Sequence, residues 1–335
     1  MASKNNNTVD EVSNWLRVFE DGTVCRSWTG PPEVEILMKS APPHDQFVDG
    51  VATRDMIIDS NSGLTVRIYI PEKNSNVLGE NKLPLILHFH GGGFCISRPD
   101  WYMYYNFYKR LVVSAQAVFV SVYLRLAPED RLPAACEDAY AAFLWLSSVA
   151  RGESSEPWLD NLADFQRSFL IGDSTGGNLV HDLAARAGGM NTEPVKIAGG
   201  IAIHPGFLRA EPSKSFLELP ETPLLTRDMV SKFMSLALPI GATKDHPITC
   251  PMGPNATPLD GLKLPPMLVV VAEMDLLRDS ELEYCEAMKK AGKEVEILIN
   301  NGMGHSFYFA MDMDPETAVQ ANKLIEDMAN FIINH

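Results

Sequence analysis

Ser174 stands in Gly172-Asp173-Ser174-Thr175-Gly176, a G-x-S-x-G spacing whose small flanking residues permit the sharp strand-to-helix turn that lifts a hydroxyl above a sheet. A serine hydroxyl is a weak nucleophile at neutral pH. It needs a base to take its proton, a carboxylate to orient that base, and donors for the oxyanion that develops. Two other readings of the glycines fail on spacing. A phosphate loop wants a lysine directly after its second glycine, yet Gly177 is followed by Asn178 and Leu179. A dinucleotide loop wants a glycine two places after Gly172, where Ser174 sits.

The remaining requirements can be sought one at a time. Upstream, His90-Gly91-Gly92-Gly93 follows the apolar run at 85–89, and its glycines let backbone N–H groups face a substrate oxygen. Gly92 and Gly93, with Thr175 next to the serine, are the expected oxyanion donors, and His90 is the expected organiser of that loop. The helix opening near Gly176 adds its positive end to the same charge. Downstream, Asp275 lies three residues past the apolar run at 267–272 and is the expected orienting carboxylate, with Asp279 and Glu273 as rivals. His305, flanked by Gly302 and Gly304 in a loop between the last strand and the last helix, is the expected base.

Among eight histidines it alone combines a late position, a strand-end loop and flanking glycines. His44, His246 and His335 read as structural or surface groups and His181 as packed on its helix; His204, just past a strand, could approach the mouth of the site. His88 and His90 are spaced like a metal pair, but no third ligand stands at metal spacing, so neither a metal nor a cofactor is expected.

These groups need elements to carry them. Short apolar runs at 85–89, 117–122, 168–171, 197–203, 267–272 and 295–299 read as strands buried on both faces. Residues 64–70 alternate like a strand with one buried face, after an Asn-Ser-Gly turn at 61–63, and 73–82 form a polar loop. Helical stretches fall at 102–115, 134–148, 177–187, 280–291 and 317–333; in the last, Ala318, Ala321, Ile325, Met328 and Ile332 make one apolar stripe.

Strands alternating with helices predict an α/β fold, a mainly parallel sheet covered on both faces with its site at the carboxyl ends of strands. Residues 1–50 read as an irregular segment with one short helix around 12–18, leaving 51–335 as the catalytic domain. The Pro-, Leu- and Met-rich block beginning at Pro205 breaks the alternation and predicts an inserted cap over about 205–250. Leu37, Met38, Phe47, Leu217, Leu219, Leu224, Leu225, Met229 and Phe233 are candidate pocket residues.

Composition removes several function classes. A formal net charge of −15 over 335 residues opposes binding to nucleic acid or anionic membranes, where affinity comes from clustered Lys and Arg. Five scattered cysteines without a C-x-x-C pair indicate neither zinc nor a disulfide framework. No apolar run approaches membrane-spanning length, and the polar N-terminus lacks a signal-peptide stretch, so a soluble cytoplasmic protein is expected. Oligomeric state stays open.

"HFHGGGFCI", "YLRLAPEDRLPAACEDA", "GDSTGGN", "AEMDLLRD" and "GMGHSFY" together resemble the hormone-sensitive-lipase branch of the α/β hydrolases, specifically the plant carboxylesterases, over nearly the whole chain. The resemblance implies an α/β-hydrolase fold, Ser174, Asp275 and His305 as the catalytic triad, and residues 1–50 and 205–250 as a lid around an acyl or alcohol pocket. It implies hydrolysis of a small, fairly apolar carboxylic ester or related plant metabolite through an acyl-enzyme. There are departures. The family usually reads Y-R-L-A-P-E-H, whereas here Leu124 precedes Arg125 and Asp130 follows Glu129; Cys136 stands where an aromatic residue is common, and Ser306 follows His305 where glycine is frequent. None removes a triad member. The same plant group holds gibberellin receptors that lack the catalytic histidine, dehydratases that often carry Thr at the nucleophile position, and alkaloid cyclases. A lyase or cyclase using the same groups, and a hormone-receptor-like binding protein, are therefore the alternative readings.

Overall fold

Leu85, Leu87 and Phe89 point to one side of a strand and Ile86 to the other, and both sides are buried, as for Leu170 against Phe169 and Ile171. Such two-sided burial requires a sheet with helices on each face. The computed structural model describes residues 7–72 and 82–335, so most of the polar stretch at 73–82 lies outside the described residues.

A small antiparallel sheet is made by β1 (Thr8–Val12), β2 (Leu16–Phe19) and β3 (Val24–Cys25). The large sheet holds β4 (His44–Val48), β5 (Val51–Asp59), β6 (Leu64–Pro71), β7 (Leu83–Phe89), β8 (Val118–Val122), β9 (Ala163–Asp173), β10 (Ile197–Ile203), β11 (Met267–Ala272) and β12 (Val295–Asn300). Its order is β12-β11-β10-β9-β7-β8-β6-β5-β4, parallel from β12 to β8 and antiparallel beyond. After β7 the chain adds β8 on one side and then crosses to add β9 on the other. That reversal opens a crevice at the carboxyl ends of β7 and β9, where ligands of such sheets bind.

The helices are α1 (Pro32–Glu35), α2 (Tyr102–Ala115), α3 (Ala134–Ala150), α4 (Pro157–Leu162), α5 (Thr175–Gly188), α6 (Lys214–Glu218), α7 (Arg227–Ala237), α8 (Arg278–Lys290) and α9 (Pro315–Asn334). Leu111 of α2 and Leu324 and Met328 of α9 pack under one face with Ile86, Ile171 and Ile203; α3, α5 and α8 cover the other with Leu85, Leu170 and Val269. No described helix is long and apolar enough to cross a membrane.

Several expectations need correction. Strand β6 is buried on both faces rather than one, with Arg67 and Tyr69 inside, and β12, expected to be buried on both faces, is an edge strand with Ile299 turned to solvent. Residues 12–18 are not helical: Val12 pairs with Leu16 across a turn in which Asn14 holds φ 64. Val12, Trp15 and Leu16 are all buried, so their spacing imitates a helical face, but a left-handed Asn closes a hairpin instead. Strands β4 and β5 were also not expected, because their pattern lacks apolar alternation. Buried Thr53 and the Asp55 carboxylate, paired with Arg67 of β6 at 2.7 Å, occupy β5 positions where apolar residues would signal a strand. Strand β4 edges the large sheet, so the first fifty residues end inside it.

Candidate active site

Strand β9 ends at Asp173 and α5 begins at Thr175, which leaves Ser174 alone to make the turn. It does so at φ 49, ψ −123, a conformation an L-residue holds only when its surroundings enforce it, at about 1–3 kcal/mol. The enforcement is visible. Ser174 N–H donates to Ile203 O at 2.8 Å, and Ser174 O accepts from Gly177 N and Gly206 N, each at 2.9 Å. The flanking glycines are required by contact: a Cβ at Gly172 would run into Gly176 O, and one at Gly176 into Phe89 O.

His305 is delivered by the loop after β12. Gly302 turns that loop at φ 71 and donates its N–H to the Glu273 carboxylate at 2.7 Å, while Met274 N–H donates to Met303 O at 2.9 Å. The imidazole then lies with Nδ1 2.6 Å from Asp275 Oδ2 and Nε2 3.0 Å from Ser174 Oγ. Asp275 Oδ1 accepts from Leu277 N–H at 2.9 Å. Burial pushes the Asp275 carboxyl up, but the charge and hydrogen bond of His305, with His204 and the Leu277 amide, outweigh it and hold the group below its ordinary range. An ionised Asp275 takes the proton-bearing Nδ1 of a neutral His305, leaving Nε2 as the acceptor facing the serine. The rivals are engaged elsewhere: Asp279 accepts Ser215 N–H at 2.7 Å, and Glu273 holds the Gly302 turn.

The glycine loop after β7 lies across the same opening. Gly92 and Gly93 adopt φ 102 and 62, and among the described residues the amides of Gly92, Gly93 and Thr175 find no protein acceptor. Asp173 ties this loop to the serine turn. Its Oδ2 accepts from Gly91 N–H at 3.1 Å and Tyr104 O–H at 3.3 Å, while Oδ1 faces His88 Nε2 at 3.2 Å and Tyr108 Oη at 3.4 Å. Both rings lie against Tyr104, but among the described residues His88 and His90 share no hydrogen-bond partner. His88 Nδ1 lies 2.7 Å from Ser121 Oγ, and His90 Nδ1 lies 2.9 Å from Gly91 O, with burial pushing the latter imidazole down to about 4.

His204 is a participant the sequence underrated. It sits beneath the site, with its ring centroid 5.8 Å from that of His305. Potential ligand atoms of His204, Asp275 and His305 come within 4.8 Å of one another. Two of the three residues are already bonded to each other, and His204 Nδ1 accepts Ser306 N–H at 3.0 Å, so this arrangement is a hydrogen-bonded cluster. His181 instead packs on α5 against Tyr284 Oη at 2.9 Å.

A cavity of about 90 Å³ opens onto Ser174 and His305. Leu37, Leu224, Leu225, Met229 and Phe233 line it; Met38, Phe47, Leu217 and Leu219 do not, Phe47 and Leu217 being turned to solvent. Trp15 completes the wall from the N-terminal hairpin, a contribution hidden by the helical reading of that stretch. Among the described residues no lysine or arginine lines the cavity.

The sequence profile of the alpha/beta hydrolase fold matches residues 86–309, an interval that takes in Ser174, Asp275 and His305. The chain belongs to the α/β-hydrolase family. This α/β hydrolase is similar to the Arabidopsis thaliana protein named "Probable carboxylesterase 6", 35% identical over 302 residues that cover 90% of this chain and 84% of the relative. It is also 35% identical to a gibberellin receptor of Arabidopsis thaliana, over 90% of this chain and 88% of that one. Among solved structures, the hyperthermophilic esterase from the archaeon Pyrobaculum calidifontis superposes with a TM-score of 0.67 at 29% identity, covering 84% of this chain and 82% of that chain.

Proposed function

We propose that this α/β hydrolase is a serine carboxylesterase acting on a small, uncharged, fairly apolar ester, with Ser174, His305 and Asp275 as its triad. The observation that carries the reading is the continuous relay from Ser174 Oγ to His305 Nε2 at 3.0 Å and from Nδ1 to Asp275 Oδ2 at 2.6 Å. In the first half-reaction His305 Nε2 takes the hydroxyl proton as Ser174 Oγ attacks the ester carbonyl carbon. The oxyanion accepts from the Gly92, Gly93 and Thr175 amides, while Asp275 stabilises the imidazolium. Collapse breaks the bond to the alkoxy oxygen, which leaves with the proton from His305. Water, deprotonated by the same nitrogen, then releases the acid and restores the serine.

The substrate class follows from the wall of the cavity, which offers aliphatic and aromatic surface and, among the described residues, no lysine or arginine to pair with a substrate carboxylate or phosphate. The esterase resemblance supports the reaction class. A pure binding role, as in the gibberellin receptor, gives no reason for a complete relay. The test is turnover of short-chain nitrophenyl esters by wild type and Ser174→Ala. Hydrolysis should fall by about 10³-fold or more on removing the hydroxyl. Equal turnover of the native metabolite by Ser174→Ala would favour proton-transfer chemistry without an acyl-enzyme.

A further inference from the structure

His204 is fully buried at the carboxyl end of β10, between the turn that carries Ser174 and the loops that carry Asp275 and His305. It holds a positive φ of 43, and its own N–H is fixed to Val270 O at 2.9 Å. The ring has two unlike ends. Nδ1 accepts the Ser306 amide at 3.0 Å, and because a backbone N–H can only donate, that nitrogen must carry its lone pair. The neutral ring then has its proton on Nε2. That nitrogen is buried without a protein partner among the described residues, as is Asn300 Oδ1. A buried donor left unmade is costly, so the groups around it matter.

The titratable groups around the ring are Asp275 after β11, His305 after β12, Asp173 at the end of β9 and Tyr308, whose ring centroid lies 5.6 Å away and whose hydroxyl is likewise buried without a partner among the described residues, with the polar Asn300 at the end of β12. Burial is the largest influence and pushes the imidazole down to about 4, so it stays neutral where an esterase works.

We propose that His204 is a positioning residue for the triad: its Nδ1 tethers the His305 loop through Ser306, and its Nε2–H, which makes no hydrogen bond of its own among the described residues, acts on the Asp275 carboxylate through space within the cluster whose ligand atoms lie within 4.8 Å of one another. Asp275 is thereby shared between two imidazoles, one that relays the serine proton and one that stays neutral and draws off part of the carboxylate's negative charge. The tether fixes His305 in rotation. The shared donor limits how strongly Asp275 holds the Nδ1 proton of His305. This rests on the esterase reading of the same site.

The direct test is the ¹⁵N-histidine NMR spectrum of the wild-type protein, with the His204 signals identified by their loss in His204→Gln. The Nε2–H tautomer should persist from pH 5 to 8; an Nδ1–H tautomer or a cationic ring at pH 7 would overturn the proposal whether or not any ester is hydrolysed. Kinetics give the second arm. His204→Phe should lower kcat by about tenfold to a hundredfold, as removal of an outer hydrogen-bonding partner does, with KM within about twofold. The acidic limb of its pH profile should move to higher pH by roughly half a unit, because Asp275 is left wholly to His305. His204→Gln, which can both accept and donate, should restore most of the limb position. An unchanged kcat, or a lower kcat with an unmoved limb in a variant that melts cooperatively, would leave His204 a packing residue and overturn the proposal. If the phenylalanine variant does not fold, the tautomer and the glutamine variant decide.

Discussion

At Ser174 a strained backbone and a fixed carbonyl coincide, and the hydroxyl is held where His305 can accept from it. The carboxylate behind that histidine sets how well it does so. Asp275→Asn keeps the size of the side chain but presents an amide that favours the wrong tautomer of His305, so kcat for ester hydrolysis should fall by about 10⁴-fold with little change in fold, read by steady-state kinetics alongside a thermal melt. Because the folded Asp275 carboxyl lies below its ordinary value, wild type also gains stability that is present above about pH 3.9, the ordinary aspartate value, and is lost as pH falls through the folded value. The asparagine variant should lack that acid-side loss. Ser174, Asp275 and His305 are legible in the sequence because each follows its own apolar run and two have glycine neighbours. His204 is not. A histidine just past a strand carries the same local signal whether it faces solvent or lies against a second imidazole, and only the packing of β10 beside the β12 loop distinguishes the two.

Among the elements, β9 and α5 give the site its rigidity, and α8 carries an unresolved burden. Glu281 on α8 is completely buried with neither carboxylate oxygen partnered among the described residues. Burial first, and then the charge of Asp275, push its carboxyl well above the ordinary range. The folded state therefore keeps the proton to higher pH than the unfolded chain does, and wild-type stability should fall as pH rises above about 4.3, the ordinary glutamate value. Glu281→Met removes the buried polar group at similar volume. It should stabilise by about 2 kcal/mol near neutrality, with a smaller gain at pH 5 than at pH 8, measured by urea unfolding at both. Parallel pH dependence of the two proteins would show that Glu281 is not the source.

The elements most legible in the sequence were the buried ones, since β7, β10 and β11 announce themselves as uninterrupted apolar runs. The hairpin β1–β2 and the outer strands β4 and β5 were not. Their register is set by a left-handed Asn14 and by polar contacts such as Arg67 with Asp55, which leave no period-two signature.

On the scale of the whole molecule, the N-terminal segment and the β10–β11 insertion meet over the crevice where the sheet order reverses. Arg26 pins the first of these to the body, donating to Cys95 O at 2.7 Å and Ala127 O at 2.9 Å and pairing with Glu129. Phe233 of α7 presses on Gly93 so closely that a Cβ there would overlap its ring, so the insertion braces the loop whose amides we propose as oxyanion donors. We read these two segments as the lid that shapes the acyl pocket, and the charge of −15 as a surface property with no counterpart in the cavity wall, which among the described residues has no lysine or arginine and presents Asp173 as its one carboxylate. The whole assembly converges on one hydroxyl. Incubation with a fluorophosphonate, followed by digestion and peptide mass spectrometry, asks whether that hydroxyl is the activated one. A single adduct on the peptide carrying Ser174, lost in His305→Ala, is the expected result. An unmodified Ser174 in protein that still cleaves nitrophenyl esters, or an adduct elsewhere that survives loss of His305, would contradict it.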